Sequence, residues 1–396
     1  MIVKRITLDF FRNYLHLECA FSPATNVIYG ENAQGKTNLL EAVAYLSTAS
    51  SHRARYDREL IQLGVDSAWI QAEVFARERE FTLEARLSRG TRRQLSSNGV
   101  RLKSAGELSG VLNTVLFCPE DLSLIRDGAA ARRRFLDECI CQLRPRYAMA
   151  LAEYKKLYEH KIRILRDWTE KPSLLDALDE FSLRMAQTGA VLIHYRAHFI
   201  RRLQEVVPPI HSDFSGGRER LDLRYETVKT VTDPEAPMRD ILSQLLEHQE
   251  SHRQAELESR QCLSGPHKDD LAVDLDGVSA KTYASQGQTR TAALSLKLGC
   301  REIFFHDTGE WPVLLLDDVL ADRSSLPAAR TTAWRDLEKE VRFTSTTDGW
   351  YSRPLNWKRS DLCICIWGNP WWCPFGMSSV YSIWTIPPLL ISPANF

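Results

Sequence analysis

The sequence lacks a surplus of charge, a CxxC pair and an apolar N-terminal run. Lys plus Arg equals Asp plus Glu at 51 each, so any affinity for nucleic acid must come from a local basic patch. The nine cysteines lack the spacing of zinc ligands or of a disulfide framework. The opening MIVKRITLDF alternates charged and apolar residues, unlike a signal peptide. These absences predict a cytoplasmic protein without zinc or disulfides.

Charge is also missing from the end of the chain, where no charged residue follows Asp361. Tryptophan accumulates there instead, at Trp334, Trp350, Trp357, Trp367, Trp371, Trp372 and Trp384. Several prolines interrupt this region, so it contains no clean stretch of about 20 apolar residues and a membrane anchor is disfavoured. The alternative is a tail that did not evolve with the fold, such as the product of a shifted reading frame. We therefore expect residues from about Asp322 onwards to be no working part of the fold.

Hydrophobic periodicity predicts an α/β protein. The chain has 396 residues, 44% hydrophobic and 26% charged, which suffices for two or three soluble domains. Alternation and short apolar runs predict strands over residues 2–10, 26–29, 68–74, 81–87, 221–225 and 313–316. The fully apolar run at 313–316 is typical of a central parallel strand that is buried on both faces.

Helical spacing predicts helices over residues 147–165, 178–206, 238–261 and 289–300. We expect the second of these helices to stop at Pro208 and Pro209 and to pack antiparallel to the first as a projecting lobe. The predicted organisation is an N-terminal half of a head at 1–128, a helical lobe at 129–260, a C-terminal half of the head at 261–348 and the tail at 349–396.

A phosphate-binding loop follows the strand at 26–29. It reads GxxxxGKT, over Gly30, Glu31, Asn32, Ala33, Gln34, Gly35, Lys36 and Thr37, and Asn38 continues it into a helix. Its glycines let backbone N–H groups wrap phosphates, and a helix N-terminus faces their charge. Lys36 would reach the β- and γ-phosphate oxygens, and the Thr37 hydroxyl would bind Mg²⁺. The pattern predicts ATP-type nucleotide binding.

Two acids end the apolar strand at 313–316. Asp317 would help to hold Mg²⁺, and Asp318 would position or deprotonate the attacking water. The alternative is an ordinary exposed mouth of the sheet, which the presence of a phosphate loop disfavours.

A third motif contains Ser285, Gly287 and Gln288 at the start of a predicted helix. It resembles the signature motif of ABC-type ATPases, in which a serine and a glycine at a helix N-terminus contact the γ-phosphate bound on the other subunit. Ser215-Gly216-Gly217 is rejected for this role because a strand pattern, not a helix, follows it.

Further motifs occur in one order along the chain: Phe11-Arg12-Asn13-Tyr14, GENAQGKTNLLEAV, Ser51-His52-Arg53, Phe117 with Pro119-Glu120-Asp121-Leu122, residues 132–137 (RRRFLD), residues 265–271 (GPHKDDL), residues 285–290 (SQGQTR) and LLLDDVLA. Over roughly residues 1–321 the chain resembles the RecF family of recombination mediators, relatives of the SMC-type ABC ATPases.

The resemblance implies an ABC-type P-loop ATPase head split by a helical lobe. It also implies an ATP-dependent homodimer that binds double-stranded DNA at gaps, hydrolyses ATP slowly and, with RecR, helps to load RecA. Two alternatives stay open: a non-hydrolysing, nucleotide-gated DNA clamp, and an inactive product of a frameshifted gene. A transporter ATPase subunit is disfavoured by the long helical insertion between Thr37 and Ser285.

A locally basic stretch could supply phosphate contacts. Its members are Arg126, Arg132, Arg133, Arg134, Arg144, Arg146, Lys155, Lys156, Lys161, Arg163 and Arg166. The competing interpretation is a solvated helix face whose charge is offset by nearby acids. His267, Lys268, Asp269 and Asp270 form either a polar turn or a motif whose role only the resemblance implies; they make an unconvincing metal site.

The resemblance ends after Ala321. There the family would continue with a turn and helix through which two subunits sense each other's nucleotide, but residues 322–327 read DRSSLP. Residues 341–348 (VRFTSTTD) faintly resemble the family's final strand, with Thr346 or Thr347 near the γ-phosphate. Activity of this chain is therefore in question.

Overall fold

The computed structural model describes residues 1–29, 33–108, 110–317, 363–367 and 383–385. The chain divides into two compact units. The first comprises Met1–Asp121, Asp213–Arg218 and Leu294–Phe396, and the second comprises Leu122–Ser212 and Glu219–Ala293. The predicted domain boundaries stay a prediction.

The strands are β1 (Ile2–Phe11), β2 (Tyr14–Ala20), β3 (Thr25–Tyr29), β4 (Ser67–Ala76), β5 (Arg79–Ser88), β6 (Gln94–Ser97), β7 (Val100–Arg101), β8 (Thr114–Phe117), β9 (Leu221–Glu226), β10 (Asp270–Leu275), β11 (Val278–Ser279), β12 (Val313–Asp317), β13 (Cys363–Trp367) and β14 (Ile383–Thr385). The helices are α1 (Lys36–Thr48), α2 (Ser123–Arg126), α3 (Ala129–Leu143), α4 (Pro145–Asp167), α5 (Leu178–Ser215), α6 (Met238–Ser259), α7 (Ala280–Tyr283) and α8 (Gln286–Thr308).

An antiparallel sheet in the first unit has the order β2-β1-β4-β5-β6-β7. Alternate residues of β4 are buried, as its sequence pattern predicts. Ile70 pairs with Leu8 of β1 and with Ala85 of β5, and all three side chains are fully buried. The strands predicted at 68–74 and 81–87 are therefore present as antiparallel neighbours, with their apolar face in the core.

A parallel sheet in the same unit has the order β14-β3-β13-β12-β8. Every residue of β12 is buried, which explains why the run is apolar throughout until Asp317. Leu39, Leu40 and Val43 of α1 belong to the same hydrophobic cluster as Val313 and Leu315 of β12. This packing fixes the helix that begins at the phosphate loop against the strand that ends in Asp317.

Two segments of the tail belong to the parallel sheet, so the prediction that nothing after Asp322 contributes to the fold is wrong for them. Strand β13 pairs in parallel with both β3 and β12, and β14 pairs with β3. The run Cys-Ile-Cys-Ile-Trp at 363–367 is short, apolar and free of proline, as a strand in the middle of a parallel sheet requires. The faint strand pattern at 341–348, with Thr346 and Thr347, lies outside the described residues.

The second unit contains the helical lobe. Its helices α4 and α5 run antiparallel. Contacts along the pair show this, since Tyr147 contacts Arg196, Glu153 contacts Arg184 and His160 contacts Phe181. The aromatic residues Tyr147 and Tyr154 are buried, which confirms their interpretation as core residues. A small antiparallel sheet in this unit has the order β11-β10-β9.

Helix α5 does not stop at Pro208 and Pro209, as the sequence predicts, but continues to Ser215. A proline inside a helix leaves the carbonyl four residues earlier without its partner. Those carbonyls belong to Gln204 and Glu205, which are exposed, so water can serve them. Beyond the prolines, the His211 side chain is fully buried.

Candidate nucleotide site

The phosphate loop is described from Ala33 onwards, and Gly30, Glu31 and Asn32 lie outside the described residues. Gly35 has a φ of +96° and immediately precedes α1. A β-carbon at Gly35 would lie 2.6 Å from the Asn13 side-chain oxygen, so both backbone conformation and space require glycine here. Lys36 is buried in the first turn of α1.

The turn between β1 and β2 supports the loop. The Tyr14 hydroxyl donates to the Gly35 carbonyl at 2.9 Å, and the Asn38 amide donates to the Asn13 side-chain oxygen at 2.8 Å. Burial raises the pKa of Tyr14 far above its usual value, so the hydroxyl remains a donor. Sequence reasoning treated Asn13 and Tyr14 only as part of a family motif and did not predict these contacts.

The structure brings Thr37 and Asp317 together, as predicted. The Thr37 hydroxyl donates to an Asp317 carboxylate oxygen at 3.1 Å, although the two residues are 280 positions apart in sequence. Asp317 is only 6% exposed. A hydroxyl and a carboxylate at one point are the hard oxygen ligands that Mg²⁺ prefers. Asp318 lies outside the described residues, so its predicted role in hydrolysis stays a prediction.

A buried carboxylate, Glu41, links the phosphate-loop helix to two other segments. It is 0% exposed and accepts hydrogen bonds from the Arg12 guanidinium at 2.8 and 2.9 Å and from the Ser51 hydroxyl at 2.5 Å. Burial alone would raise the pKa of Glu41, but the hydrogen bonds from Arg12 and Ser51 lower it below its usual value. Glu41 is therefore charged at neutral pH. The signal in the sequence is an acid between the core residues Leu40 and Ala42.

The loop that follows α1 returns to the same helix. Arg53 donates to the Asn38 side-chain oxygen at 3.0 Å, one helical turn from Glu41. Its neighbour His52 has two buried ring nitrogens with no hydrogen-bond partner among the described residues. Burial lowers the pKa of His52 below its usual value, which keeps the ring neutral. Neither residue was singled out by chemistry in the sequence, although both lie in the motif at 51–53.

The signature-like motif caps α8. Ser285 accepts a hydrogen bond from the Gln288 backbone N–H at 3.3 Å, and the Gln288 side chain accepts one from the Ser285 N–H at 2.8 Å. This reciprocal capping box fixes the helix start at Gln286. Ser285, Gly287 and Gln288 thus lie at a helix N-terminus, as predicted, within the second unit. Ser215, in contrast, is the last residue of α5, which confirms its rejection.

Comparison with known proteins decides the family. The model of the family described as "RecF/RecN/SMC N terminal domain" matches residues 2–326. The DNA replication and repair protein RecF of Agathobacter rectalis is 41% identical over 325 residues, which cover 81% of this chain and 86% of that protein. That of Lachnoclostridium phytofermentans is 37% identical over 322 residues, covering 81% and 86% respectively. The chain belongs to the RecF family.

Solved structures agree with this family assignment. The recombination mediator protein RecF-ATPrS in the RecFOR pathway superimposes with a TM-score of 0.79 at 29% identity, covering 93% of this chain and 92% of that one. The RecF-ATP structure gives a TM-score of 0.77 at 30% identity, with the same coverage. The prediction of an α/β, ABC-type P-loop ATPase head with an inserted helical lobe is confirmed.

The RecF-family motif at 265–271 forms a buried ion-pair network in the second unit. Asp269 is 0% exposed and accepts hydrogen bonds from Arg196 at 2.9 Å, Tyr225 at 2.5 Å and Thr227 at 2.7 Å. Burial raises the pKa of Asp269, and these three donors oppose the rise. Asp270 accepts two hydrogen bonds from Arg132. Asp269 and Asp270 are therefore ion-pair partners, whereas Pro266–Lys268 forms a short 3-10 turn with Lys268 exposed.

Two members of the basic stretch are unavailable to DNA. Arg132 is 6% exposed and pairs with Asp270, and Lys161 is 1% exposed and pairs with Glu256 at 2.7 Å. Arg163 and Arg166 both approach Asp167. Burial in ion pairs makes Arg132 and Lys161 unsuitable for phosphate contacts, and charge counting along the sequence cannot detect it. Arg163 and Arg166 are exposed, so DNA contact by the rest of the stretch stays a prediction.

No helix within the described residues has both the length and the apolar character needed to cross a bilayer.

Proposed function

We propose that this RecF-family chain is an ATP-dependent, DNA-binding mediator of recombination and repair in the cytoplasm. It dimerises on ATP, binds double-stranded DNA at gaps and, with a RecR-type partner, helps to load a RecA-type recombinase. The relatives are named DNA replication and repair protein RecF, which supports a role in repair. A structural neighbour is a RecF-ATP structure, which supports ATP as the nucleotide.

The contact between Thr37 and Asp317 carries the proposal. It unites the start of α1 with the end of β12 at 3.1 Å, which is the arrangement that a nucleotide-bound Mg²⁺ needs. Thr37 and Asp317 would hold the ion, which would neutralise charge on the β- and γ-phosphates. Lys36 supplies a second positive charge to the same oxygens.

Slow ATP hydrolysis would depend on Asp318, the residue directly after Asp317. The alternative is a clamp that binds nucleotide without turning it over. An Asp318→Asn variant distinguishes the two: loss of turnover with retained ATP-dependent DNA binding supports the ATPase. Equal turnover in the variant and the native chain would remove Asp318 from the reaction.

The test of the function is nucleotide-dependent binding to a gapped duplex. We expect tight binding with ATP and Mg²⁺, and weak binding with ADP or with ATP and EDTA. Lys36→Ala should abolish ATP binding and its effect on DNA binding, because it removes the charge aimed at the phosphates. Lys4→Ala is the matched control, since Lys4 is an exposed lysine that pairs only with Glu80 among the described residues.

DNA affinity that is the same with ATP and ADP would contradict the proposal. So would an ATP affinity that Lys36→Ala leaves unchanged in a folded protein.

A further inference from the structure

The first unit has a group of exposed arginines that no acid neutralises. Arg55, Arg58 and Arg92 are exposed in two loops, residues 55–58 and 89–93, which we call the paired arginine loops. Within the described part of the chain, none of these three guanidinium groups forms an ion pair; Arg55 and Arg58 lie beside an aromatic ring instead. In contrast, the cations of strand β1 in the same unit are neutralised: Lys4 pairs with Glu80, and Arg5 pairs with Glu18.

Side-chain contacts hold the two loops together. Arg93 pairs with Asp57 at 3.0 Å, and the Tyr45 hydroxyl of α1 donates to Asp57 at 3.0 Å. The acid inside the first loop is thus neutralised by the second loop. Arg89 donates to the Val65 carbonyl at 2.8 Å, which fixes the second loop to the segment beyond the first. These contacts therefore hold the two loops that carry the exposed arginines next to each other.

An exposed aromatic ring lies between two of the arginines. The guanidinium groups of Arg55 and Arg58 lie 5.3 and 4.8 Å from the centroid of the Tyr56 ring, within the range of cation–π attraction. Tyr56 is 47% exposed. The ring orients both guanidinium groups while leaving their N–H donors accessible, and guanidinium donors match phosphate oxygens in a bidentate manner.

We propose that the paired arginine loops are a contact site for the phosphate backbone of double-stranded DNA. The proposal rests on the DNA-binding function above and places one contact surface in the first unit. The preorganised, unneutralised guanidinium groups suit phosphates, which are charged whatever the base sequence. The helical basic stretch suits them less, because its Arg132 and Lys161 are buried in ion pairs.

The test is the salt dependence of duplex binding by the full chain with ATP. A variant with Arg55→Ala, Arg58→Ala and Arg92→Ala should bind more weakly, and its plot of log affinity against log salt should be shallower by about 2.7, at about 0.9 per lost phosphate contact. The matched control removes three exposed cations that lie outside the basic stretch and are already paired with acids, with Lys4→Ala, Arg5→Ala and Arg201→Ala, and should keep the native slope.

Two further measurements separate the possible failures. ATP affinity should be native in the triple variant, which shows that the fold and phosphate loop are intact. Tyr56→Leu should weaken binding without changing the slope, because it removes no charge.

A native slope in the folded triple variant would overturn the inference while leaving the proposed function intact. If that variant also no longer bound its RecR-type partner, the paired arginine loops would be a protein-binding site instead of a DNA contact. Absence of ATP-dependent DNA binding in the native chain would overturn the proposed function and this inference together.

Discussion

Single residues in this chain show how far chemistry can be inferred from sequence. Thr37 and Asp317 were predicted as partners because each belongs to a motif with a known mechanism, and they lie 3.1 Å apart. Glu41 and Asp269 were not predicted as buried anchors, because sequence alone does not show whether a charged side chain is exposed. Both are 0% exposed, and each is held by an arginine from a distant segment. Charged residues of this kind need their partners, since an unpaired buried charge is strongly destabilising.

The network around Asp269 gives a prediction for stability. Asp269→Asn should destabilise the second unit by about 3 kcal/mol, because it removes a charge that compensates the buried Arg196. Arg196 keeps its contact with Asp137 at 2.7 Å, so the unit should still fold. Hydrogen exchange of α5 amides during urea titration would measure the effect. Glu80→Gln, which breaks an exposed pair with Lys4, is the control and should cause no measurable change. Equal exchange in both variants would show that the network adds no stability.

At the scale of elements, periodicity identified the longer strands β1, β4 and β5, the buried strands β3 and β12, strand β9, and the long helices α4, α5, α6 and α8. It did not identify the remaining strands, and the departures within the predicted elements have physical causes. Helix α5 continues past Pro208 and Pro209, and the two carbonyls that these prolines leave without a donor belong to exposed residues. The sequence pattern does not show that exposure. The start of α8 was predictable, because Ser285 and Gln288 have capping-box spacing. Their hydrogen bonds now explain why this helix begins where the signature motif does.

The exposed start of α8 gives a prediction for assembly. If Ser285 and Gly287 complete the nucleotide site of a second copy, ATP but not ADP should produce a dimer. Ser285→Arg should stay monomeric with ATP, because its longer charged side chain blocks the approach of the partner's nucleotide. Light scattering with each nucleotide measures this directly. Ser259→Arg, at the exposed end of α6, is a control that should dimerise normally. A Ser285→Arg variant that dimerises with ATP would exclude this composite site.

At the scale of the whole molecule, composition misled the sequence analysis about the tail. The accumulation of tryptophan and proline indicated a segment outside the fold. That inference rested on the composition of the whole tail, which does not show the structure of a short segment within it. The parallel sheet needs only five consecutive apolar residues between β3 and β12, and Cys363–Trp367 provides them. Without this strand, β3 and β12 would each have an unpaired edge, and these are the strands that carry the phosphate loop and Asp317. Exposed apolar edges of this kind promote aggregation.

Truncation tests whether the tail belongs to the fold. A chain ending at residue 385 retains β13 and β14 and should keep native solubility and ATP affinity. A chain ending at residue 362 lacks both strands, so the phosphate-loop strand should lose its neighbours and the protein should aggregate or lose ATP binding. Sedimentation and nucleotide titration measure both properties, and the longer truncated chain is the matched control for the shorter one. If the chain ending at residue 362 stays soluble and binds ATP within about twofold of the native chain, the tail strands are dispensable. The original prediction, that the fold needs nothing after Asp322, would then hold.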